Sequence, residues 1–353
     1  MILLVDMDSF FSSIEVVEHP ELAGLSVVVG ADPKEGSGRG VVSTCSYEAR
    51  GYGIHSGMPI SRAYRLCPDA RFLPVNMPLY QSVSGRIMKV LRRYADKFQK
   101  VSIDEAFLDI TTDNFEDAVR IAQNIKEEIL DKEKLTCSIG IGPNKLVAKI
   151  ASDIRKPDGL TIVRPDEVRD FLDPMPAKRI PGIGKKTEKT LKSMEIETIR
   201  ELREYDVKEL VLRFGKWGYQ MHALAYGIDE REVKEDSAVK SIGREVTFEE
   251  DTSDSGVIHD SIDILADETH TALVKAGYLF RTVSVKVRFE DFDTHTRAKS
   301  IGFLSSDPEL IKNLSKKLID EFIGKKKIRL IGVRLSNLQR VTMRQTSLYE
   351  FIR

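Results

Sequence analysis

The sequence predicts an α+β protein built from two β-α-β-β-α-β units with a helical segment between them. Three observations carry this reading. Once residues 11–76 are set aside as an insertion, strand and helix patterns over 1–142 follow in that order. The same order returns over 241–338, with no evident repeat of the sequence itself. Between the two, residues 180–228 are helical in pattern and punctuated by glycine. A chain of 353 residues is too long for one small core, and roughly two to four compact units are expected.

The first strand is the apolar run Ile2-Leu3-Leu4-Val5, ended by Asp6. Phe10, Phe11, Ile14 and Val17 then share one face at helical spacing. Inside the insertion, Val27-Val28-Val29 and Val41-Val42-Ser43-Thr44 read as short strands among short helices, interrupted by the Gly-rich turn 35–40. Pro74 and Pro78 bracket the entry to a long helix with Leu79, Val83, Ile87 and Leu91 on its apolar side. A hairpin follows, with strands over 98–103 and 106–110 and a turn at Asp104-Glu105. A second helix carries Phe115, Val119, Ala122, Ile125 and Ile129, and a last strand spans 136–142. This is the order of the ferredoxin-like split βαβ motif. In it the first and third strands are antiparallel neighbours at the centre of the sheet. The end of strand one therefore lies beside the start of strand three, and Asp6 meets Asp104 and Glu105.

Carboxylates gathered at strand ends are costly unless something cationic compensates them. With no His or Cys nearby, the compensator that suits hard oxygen ligands is Mg²⁺. Either acidic cluster alone would be an ordinary turn former. Converging, they make a site for two-metal phosphoryl chemistry.

Composition narrows the field. Hydrophobic residues are 41% and charged residues 31%, as in a soluble globular chain. Cys45, Cys67 and Cys137 form no Cys-x-x-Cys, which argues for a reducing compartment and against structural zinc. The six histidines are scattered and suggest no ligand cluster. No apolar run reaches transmembrane length, and no basic signal-peptide region opens the chain, so a cytoplasmic protein without a membrane partner is expected. The net charge of −1 hides an asymmetry. From residue 275 onward there are 17 Lys and Arg against 8 Asp and Glu, a surplus of nine that leaves −10 for the rest. An acidic body joined to a basic C-terminal part suits a carboxylate-metal site coupled to a phosphate-binding module.

The second unit reads as a strand over 241–248, a helix over 254–274, strands over 280–289 and 296–303, a helix over 307–323 and a strand over 328–338. A charged stretch, 229–236, precedes it and has the look of a tether. Val283, Val285, Val287 and Phe289 point one way; Thr282, Ser284, Lys286 and Arg288 point the other. Ile331, Val333 and Leu335 likewise oppose Arg334 and Ser336. One face of this sheet would rest on its helices. The other, basic and rich in hydroxyls, is shaped to lie along a phosphate backbone or is an ordinary solvated face.

Val5-Asp6-Met7-Asp8-Ser9-Phe10-Phe11 and Ser102-Ile103-Asp104-Glu105-Ala106-Phe107-Leu108-Asp109 resemble motifs of the Y-family translesion DNA polymerases, specifically the DNA polymerase IV (DinB) branch. Ser43-Thr44-Cys45-Ser46-Tyr47-Glu48-Ala49-Arg50 matches in order and spacing. So does the run from Ser138-Ile139-Gly140-Ile141-Gly142 through Lys145-Leu146-Val147-Ala148-Lys149 to Lys156-Pro157-Asp158-Gly159. The resemblance covers essentially the whole chain. It implies a palm (1–10 and 77–166), fingers (11–76), a thumb (167–229), a linker (230–240), a little finger (241–341) and a tail (342–353).

The resemblance also implies roles. Asp6, Asp104 and Glu105, with the Met7 carbonyl, would be the catalytic ligands of two Mg²⁺ ions, with Mn²⁺ as a possible substitute. Phe10, Phe11, Val41, Ser43, Thr44, Tyr47, Arg50 and Lys156 would surround a deoxynucleoside triphosphate. Among them Tyr47, Arg50 and Lys156 would grip phosphates, as a phenol donor, a forked guanidinium and an ammonium can. Phe11 matches the steric gate against a 2′-hydroxyl, although it also fits the apolar face of its helix. Val41 and Ser43 match small positions that roof the templating base. Cys45, commonly alanine, and Gly51, commonly lysine, depart from the family pattern.

Ile180-Pro181-Gly182-Ile183-Gly184-Lys185-Lys186 is a helix-hairpin-helix signature or an ordinary interhelical turn; as the former, Gly182 and Gly184 would let backbone N–H groups face a DNA phosphate, with Lys185 adding charge. Arg244, Arg297 and Lys299 join Lys286, Arg288 and Arg334 as expected DNA contacts. At the C-terminus, Gln345, Leu348, Phe351 and Ile352 follow the spacing of the box that docks on the trimeric, PCNA-type sliding clamp of archaea and eukaryotes. Ile352 replaces the usual second aromatic, and the box suggests an archaeal protein. The expected protein is a monomeric, template-directed polymerase acting on primer-template DNA, of low fidelity and without a proofreading domain. The rivals are a palm-type nucleotidyl enzyme without a template, a two-metal nuclease and an inactive DNA-bound scaffold.

Overall fold

The computed structural model describes residues 1–112, 114–235 and 239–341 and divides the chain into two compact units, Met1–Asp236 and Ser237–Arg353. Both are mixed α+β. In the first, β1 (Ile2–Met7) leads into α1 (Phe10–Glu18). Then β2 (Val27–Gly30), β3 (Val42–Cys45) and β4 (Arg71–Leu73) form a small sheet in the order β3-β2-β4, with α2 (Tyr47–Gly51) and α3 (Ile60–Leu66) between the last two. After α4 (Met77–Arg92), β5 (Lys97–Lys100), β6 (Glu105–Asp109), α5 (Phe115–Glu133) and β7 (Cys137–Gly142) come α6 (Lys145–Ser152) and β8 (Leu160–Ile162).

The main sheet runs β5-β6-β1-β7-β8, with β1 antiparallel to both β6 and β7. This is the neighbourhood the split motif requires. β8, parallel to β7, and β4 are additions that the sequence pattern does not reveal, since three residues are too few to show a period. β1 is buried on both faces, which is why its apolar run is continuous rather than alternating. Leu3 and Val5 pack against Val83, Ile87 and Leu91 of α4 and Ala122, Ile125 and Ile129 of α5. Asn76 caps α4 by accepting the Leu79 N–H, and Pro78 occupies its first turn.

Leu4 faces the other way, with Phe107, Ala148 of α6 and Val233. α6 can lie on this face because Gly140 has no side chain. A Cβ there would stand 2.1 Å from the Ala148 carbonyl oxygen and 2.4 Å from the Ser152 nitrogen. The charged stretch that reads as a tether packs here as far as residue 235. Val233 is 3% exposed, Lys145 Nζ donates to Gln99 Oε1 at 2.7 Å and to the Glu232 carbonyl at 3.4 Å, and Arg92 pairs with Glu235. One apolar residue inside a charged run is enough to dock it.

α7 (Val168–Leu172), α8 (Lys185–Lys192), α9 (Ile199–Glu204), α10 (Val207–Phe214) and α11 (Lys216–Ala225) gather around Ile180, Leu191, Leu202, Leu210 and Met221. Thr198 and Asp206 cap α9 and α10.

The second unit comprises β9 (Ser241–Thr252), α12 (Ser255–Ala276), β10 (Tyr278–Phe289), β11 (Thr294–Ser305), α13 (Pro308–Ile319), β12 (Ile328–Ser336) and β13 (Gln339–Arg340). Its sheet runs β11-β10-β12-β9, and β13 pairs with the start of β10. The element order matches the first unit, but the sheet does not. In the first unit the first and third strands of the motif are central; here the second and fourth, β10 and β12, are. In both, each helical crossover of the four-stranded motif spans one intervening antiparallel strand, whereas α6 joins the adjacent parallel strands β7 and β8. Among the described residues no helix is long and apolar enough to cross a membrane.

Candidate active site

The β1–β6 register sets Asp6 directly opposite Glu105, and the Met7 N–H donates to the Asp104 carbonyl at 3.0 Å. Carboxylates facing each other across a ladder repel. Two lysines answer them. Lys149, carried by α6, places Nζ 3.1 Å from Asp6 and 3.2 Å from Glu105, and Lys156 places Nζ 2.7 Å from Asp6. Lys156 also reaches Asp153 at 3.0 Å.

Burial pushes the Glu105 carboxyl above its ordinary range, with Asp6 and Asp104 adding to the effect against the pull of Lys149. Burial works against the charge of Lys149, yet Asp6 and Glu105 outweigh it and hold the ammonium above its usual value. Lys156 is raised in the same way, burial again being outweighed, by Asp6 and Asp153.

Asp104 is held separately, its carboxylate accepting from Ser102 Oγ at 2.5 Å. No group of three His, Cys, Asp or Glu side chains able to hold a metal ion occurs among the described residues. The structure thus brings Asp6 and Glu105 onto one ammonium and leaves Asp104 on its own turn. In chemistry the residues fit a hard divalent cation: the donors are oxygens, and the pair already draws positive charge to itself.

Beyond the carboxylates, Ser46 caps the short helix α2, which carries Tyr47 and Arg50 side by side, the guanidinium lying 4.3 Å from the phenol ring centre. Thr44 Oγ1 is buried without a hydrogen-bond partner. Ser43 is half-buried and Val41 is exposed. Phe11 stacks on Tyr80, ring centres 4.2 Å apart and planes 14° from parallel. Tyr80 is itself fully buried, donating to the Glu15 carboxylate at 2.5 Å. Phe10 is different: its ring lies in the core with Val5 and Ile14, so only its main chain remains to meet a nucleotide.

In the helical segment, Gly182 has φ +101°, and a Cβ there would stand 2.7 Å from the Trp217 ring. Gly184 precedes Lys185 at the start of α8 without a side-chain cap and with nothing within 4 Å of a Cβ position. The first turn of that helix is open to an acceptor.

Register divides the six basic candidates of the second unit. Ser284 pairs with Arg334, and Lys286 with Gly332 and Thr296, so Lys286, Arg288 and Arg334 share the face away from the helices. Lys286 pairs with Glu245 at 2.8 Å, and Arg334 donates to Ser241 Oγ at 2.6 Å. Arg244, Arg297 and Lys299 do not join them. They stand opposite Val333, Val285 and Val283, which are buried against the helices. Arg297 accordingly donates to Glu321 at 2.8 Å and lies over the Phe322 ring. The clamp-box residues Gln345, Leu348, Phe351 and Ile352 lie outside the described residues.

Sequence reasoning missed Lys149, Tyr80 and Glu15 as parts of this site. Lys149 had two signals: Gly140 inside a strand, which marks a close backbone approach, and Asp153 at i+4.

Comparison with known proteins places the chain. Residues 5–153 match the impB/mucB/samB family, residues 239–348 its C-terminal domain, and residues 178–229 the thumb domain of DNA polymerase-iota. The chain is 54% identical to DNA polymerase IV 2 of Methanosarcina mazei over 98% of its length and 95% of that protein's. It is 52% identical to DNA polymerase IV of Methanoculleus marisnigri over 99% of its length and 98% of that protein's. Its structure is similar to a Y-family polymerase chimera, Dbh-Dpo4(243-245)-Dbh, with TM-score 0.89 and 34% identity, covering 96% of this chain and 99% of the chimera. An insertion ternary complex of Dbh DNA polymerase matches with TM-score 0.69 and 33% identity, over 96% of this chain and 99% of that one. The chain therefore belongs to the Y family of DNA polymerases, in the DNA polymerase IV branch, and is a DNA-directed DNA polymerase.

Proposed function

We propose that this polymerase adds deoxynucleotides to a primer 3′-hydroxyl by a two-metal mechanism, with low fidelity and without proofreading, during translesion synthesis. The juxtaposition of Asp6 and Glu105 under two lysines carries the reading. Asp6, Asp104, Glu105 and the Met7 carbonyl would hold two Mg²⁺ ions, or Mn²⁺ in their place. When bound, such ions stabilise the negative charge developing on the primer oxygen and on the pyrophosphate leaving group.

The protein's own groups do the positioning. Lys156 and Arg50 bring charge to the triphosphate and Tyr47 a phenol donor, while Thr44 Oγ1 is a buried hydroxyl still in need of a partner. Phe11, backed by Tyr80, closes the space where a 2′-hydroxyl would sit. Val41 and Ser43 keep the roof over the template base small. Gly182, Gly184 and Lys185 offer the start of α8 to one DNA phosphate, and Lys286, Arg288 and Arg334 lie along others. The tail, through Gln345, Leu348, Phe351 and Ile352, docks on a trimeric sliding clamp. The enzyme works as a cytoplasmic monomer on primer-template DNA.

Primer extension with Mg²⁺ and deoxynucleotides, beside the Asp104→Ala/Glu105→Ala double variant, tests the chemistry. Extension by the parent chain and its loss in the variant are expected. Equal extension by both would overturn the assignment of the carboxylates. Capture by a trimeric clamp, with and without residues 345–353, tests the tail.

A further inference from the structure

Asp8 lies two residues beyond Asp6 and is 2% exposed, but its carboxylate is used quite differently. Oδ2 accepts from the Asp158 main-chain N–H at 2.7 Å and from Thr136 Oγ1 at 2.9 Å. Oδ1 accepts from Ser138 Oγ at 2.7 Å and from the Tyr47 hydroxyl at 3.5 Å. A carboxylate offers about four acceptor positions, and four donors fill them. That occupancy sets Asp8 apart from the metal ligands.

Two of the donors lead to the groups assigned to the triphosphate. Tyr47 is one of those groups. Asp158 belongs to the loop that carries Lys156. It sits at φ +56°, and the next N–H, from Gly159, donates to Ser138 Oγ at 3.2 Å. The loop is thus tied to β7 and to Asp8 at adjacent residues, and the bond to an ionised acceptor is the stronger kind. The Tyr47 contact is at the limit of a hydrogen bond, so the phenol is aimed but free to turn toward a phosphate oxygen. Burial, then the charge of Asp8, raise that phenol against the pull of Arg50 and Lys156, which keeps it a donor.

We propose that Asp8 is a positioning residue for the incoming triphosphate. One buried carboxylate holds the Lys156 loop and aims the Tyr47 hydroxyl, so two groups far apart in the chain keep a set separation. The inference rests on the reading of Tyr47 and Lys156 as triphosphate ligands.

Asp8→Asn keeps the volume. Its amide oxygen still accepts from Asp158, while its NH₂ turns to Ser138 and Tyr47, whose hydroxyls can rotate to accept. Steady-state insertion kinetics should show KM for the deoxynucleotide raised about tenfold, with kcat within about twofold. In a Lys156→Met background the same change should raise KM by only about threefold, because the part exerted through the Lys156 loop is gone and the part exerted through Tyr47 remains. An unchanged KM for Asp8→Asn, or an equal multiplicative effect in both backgrounds, overturns the proposal. If Lys156→Met alone leaves KM unchanged, the ligand reading fails and the proposal with it. Tyr47→Phe with Lys156→Met reads the link without touching Asp8, should Asp8→Asn not fold. Combined effects short of multiplicative support it, and multiplicative ones overturn it.

Discussion

Lys149 donates to the Asp6 carboxylate at 3.1 Å from a helix held on the sheet by the missing side chain of Gly140. The same ammonium is 3.2 Å from Glu105. The protein thereby supplies from its own chain a cation for two carboxylates that the strand register forces together.

Removing that cation should expose the repulsion. Breaking one side of a buried ion pair costs about 3–5 kcal/mol, and partial exposure of Lys149 brings Lys149→Met nearer to about 1–3 kcal/mol. In a chelator the variant should melt several degrees below the parent. Excess Mg²⁺ should recover much of the gap, since a cation that binds only the native state stabilises it. Thermal denaturation with and without Mg²⁺ decides. A deficit of equal size in both conditions would show that Lys149 matters only for packing.

Gly140→Ala tests how that lysine is delivered. The new methyl meets main chain rather than a flexible side chain, so α6 must move away from β7. A loss of about 1–3 kcal/mol or more is expected in chemical denaturation, with DNA synthesis falling further than stability explains. Gly85, where a Cβ meets nothing within 4 Å, is the control position. Equal behaviour of Gly140→Ala and Gly85→Ala would remove the argument.

These residues also mark what the sequence makes legible. Asp6 can be placed beside Glu105 from element order alone, because the split motif converts order along the chain into adjacency in the sheet. Lys149 cannot, since a lysine in a helical run reads as a solvated charge unless the strand beneath it is known to lack a side chain. The second sheet shows the limit more sharply. Alternation tells which residues of one strand share a face, so Lys286 and Arg288 are readable together. It does not give the register between strands, and a slip of one residue turns every side chain over. Arg244, Arg297 and Lys299 fall in with the open face on sequence alone for that reason and belong by pairing to the other. The sheet order β11-β10-β12-β9 is hidden for the same cause, being a matter of pairing rather than sequence.

Phe11 is both core and gate. Its ring stacks on Tyr80, which is anchored in turn by Glu15, so the platform survives when the ring is cut back. Phe11→Ala should raise ribonucleotide insertion relative to deoxyribonucleotide by about tenfold to a hundredfold, the scale at which a pocket wall discriminates a small group. Competition between the two sugars in single-nucleotide insertion measures it. Unchanged discrimination would return Phe11 to a packing role alone.

The two faces of the second sheet should behave differently toward DNA. Lys286→Ala, Arg288→Ala and Arg334→Ala each remove a charge from the face that carries Ser284, Thr296 and Gly332. Each of these changes should weaken DNA binding and lower the slope of log affinity against log salt by about one, as expected when one cation no longer neutralises a phosphate. Arg297→Ala removes a charge that register places on the helix side, where it pairs with Glu321 and rests on Phe322, so it should lower thermal stability and leave the slope alone. Fluorescence anisotropy over a salt series separates the cases. If Arg297→Ala changed the slope as much as Arg334→Ala, strand register would not be what selects the residues that meet the phosphates.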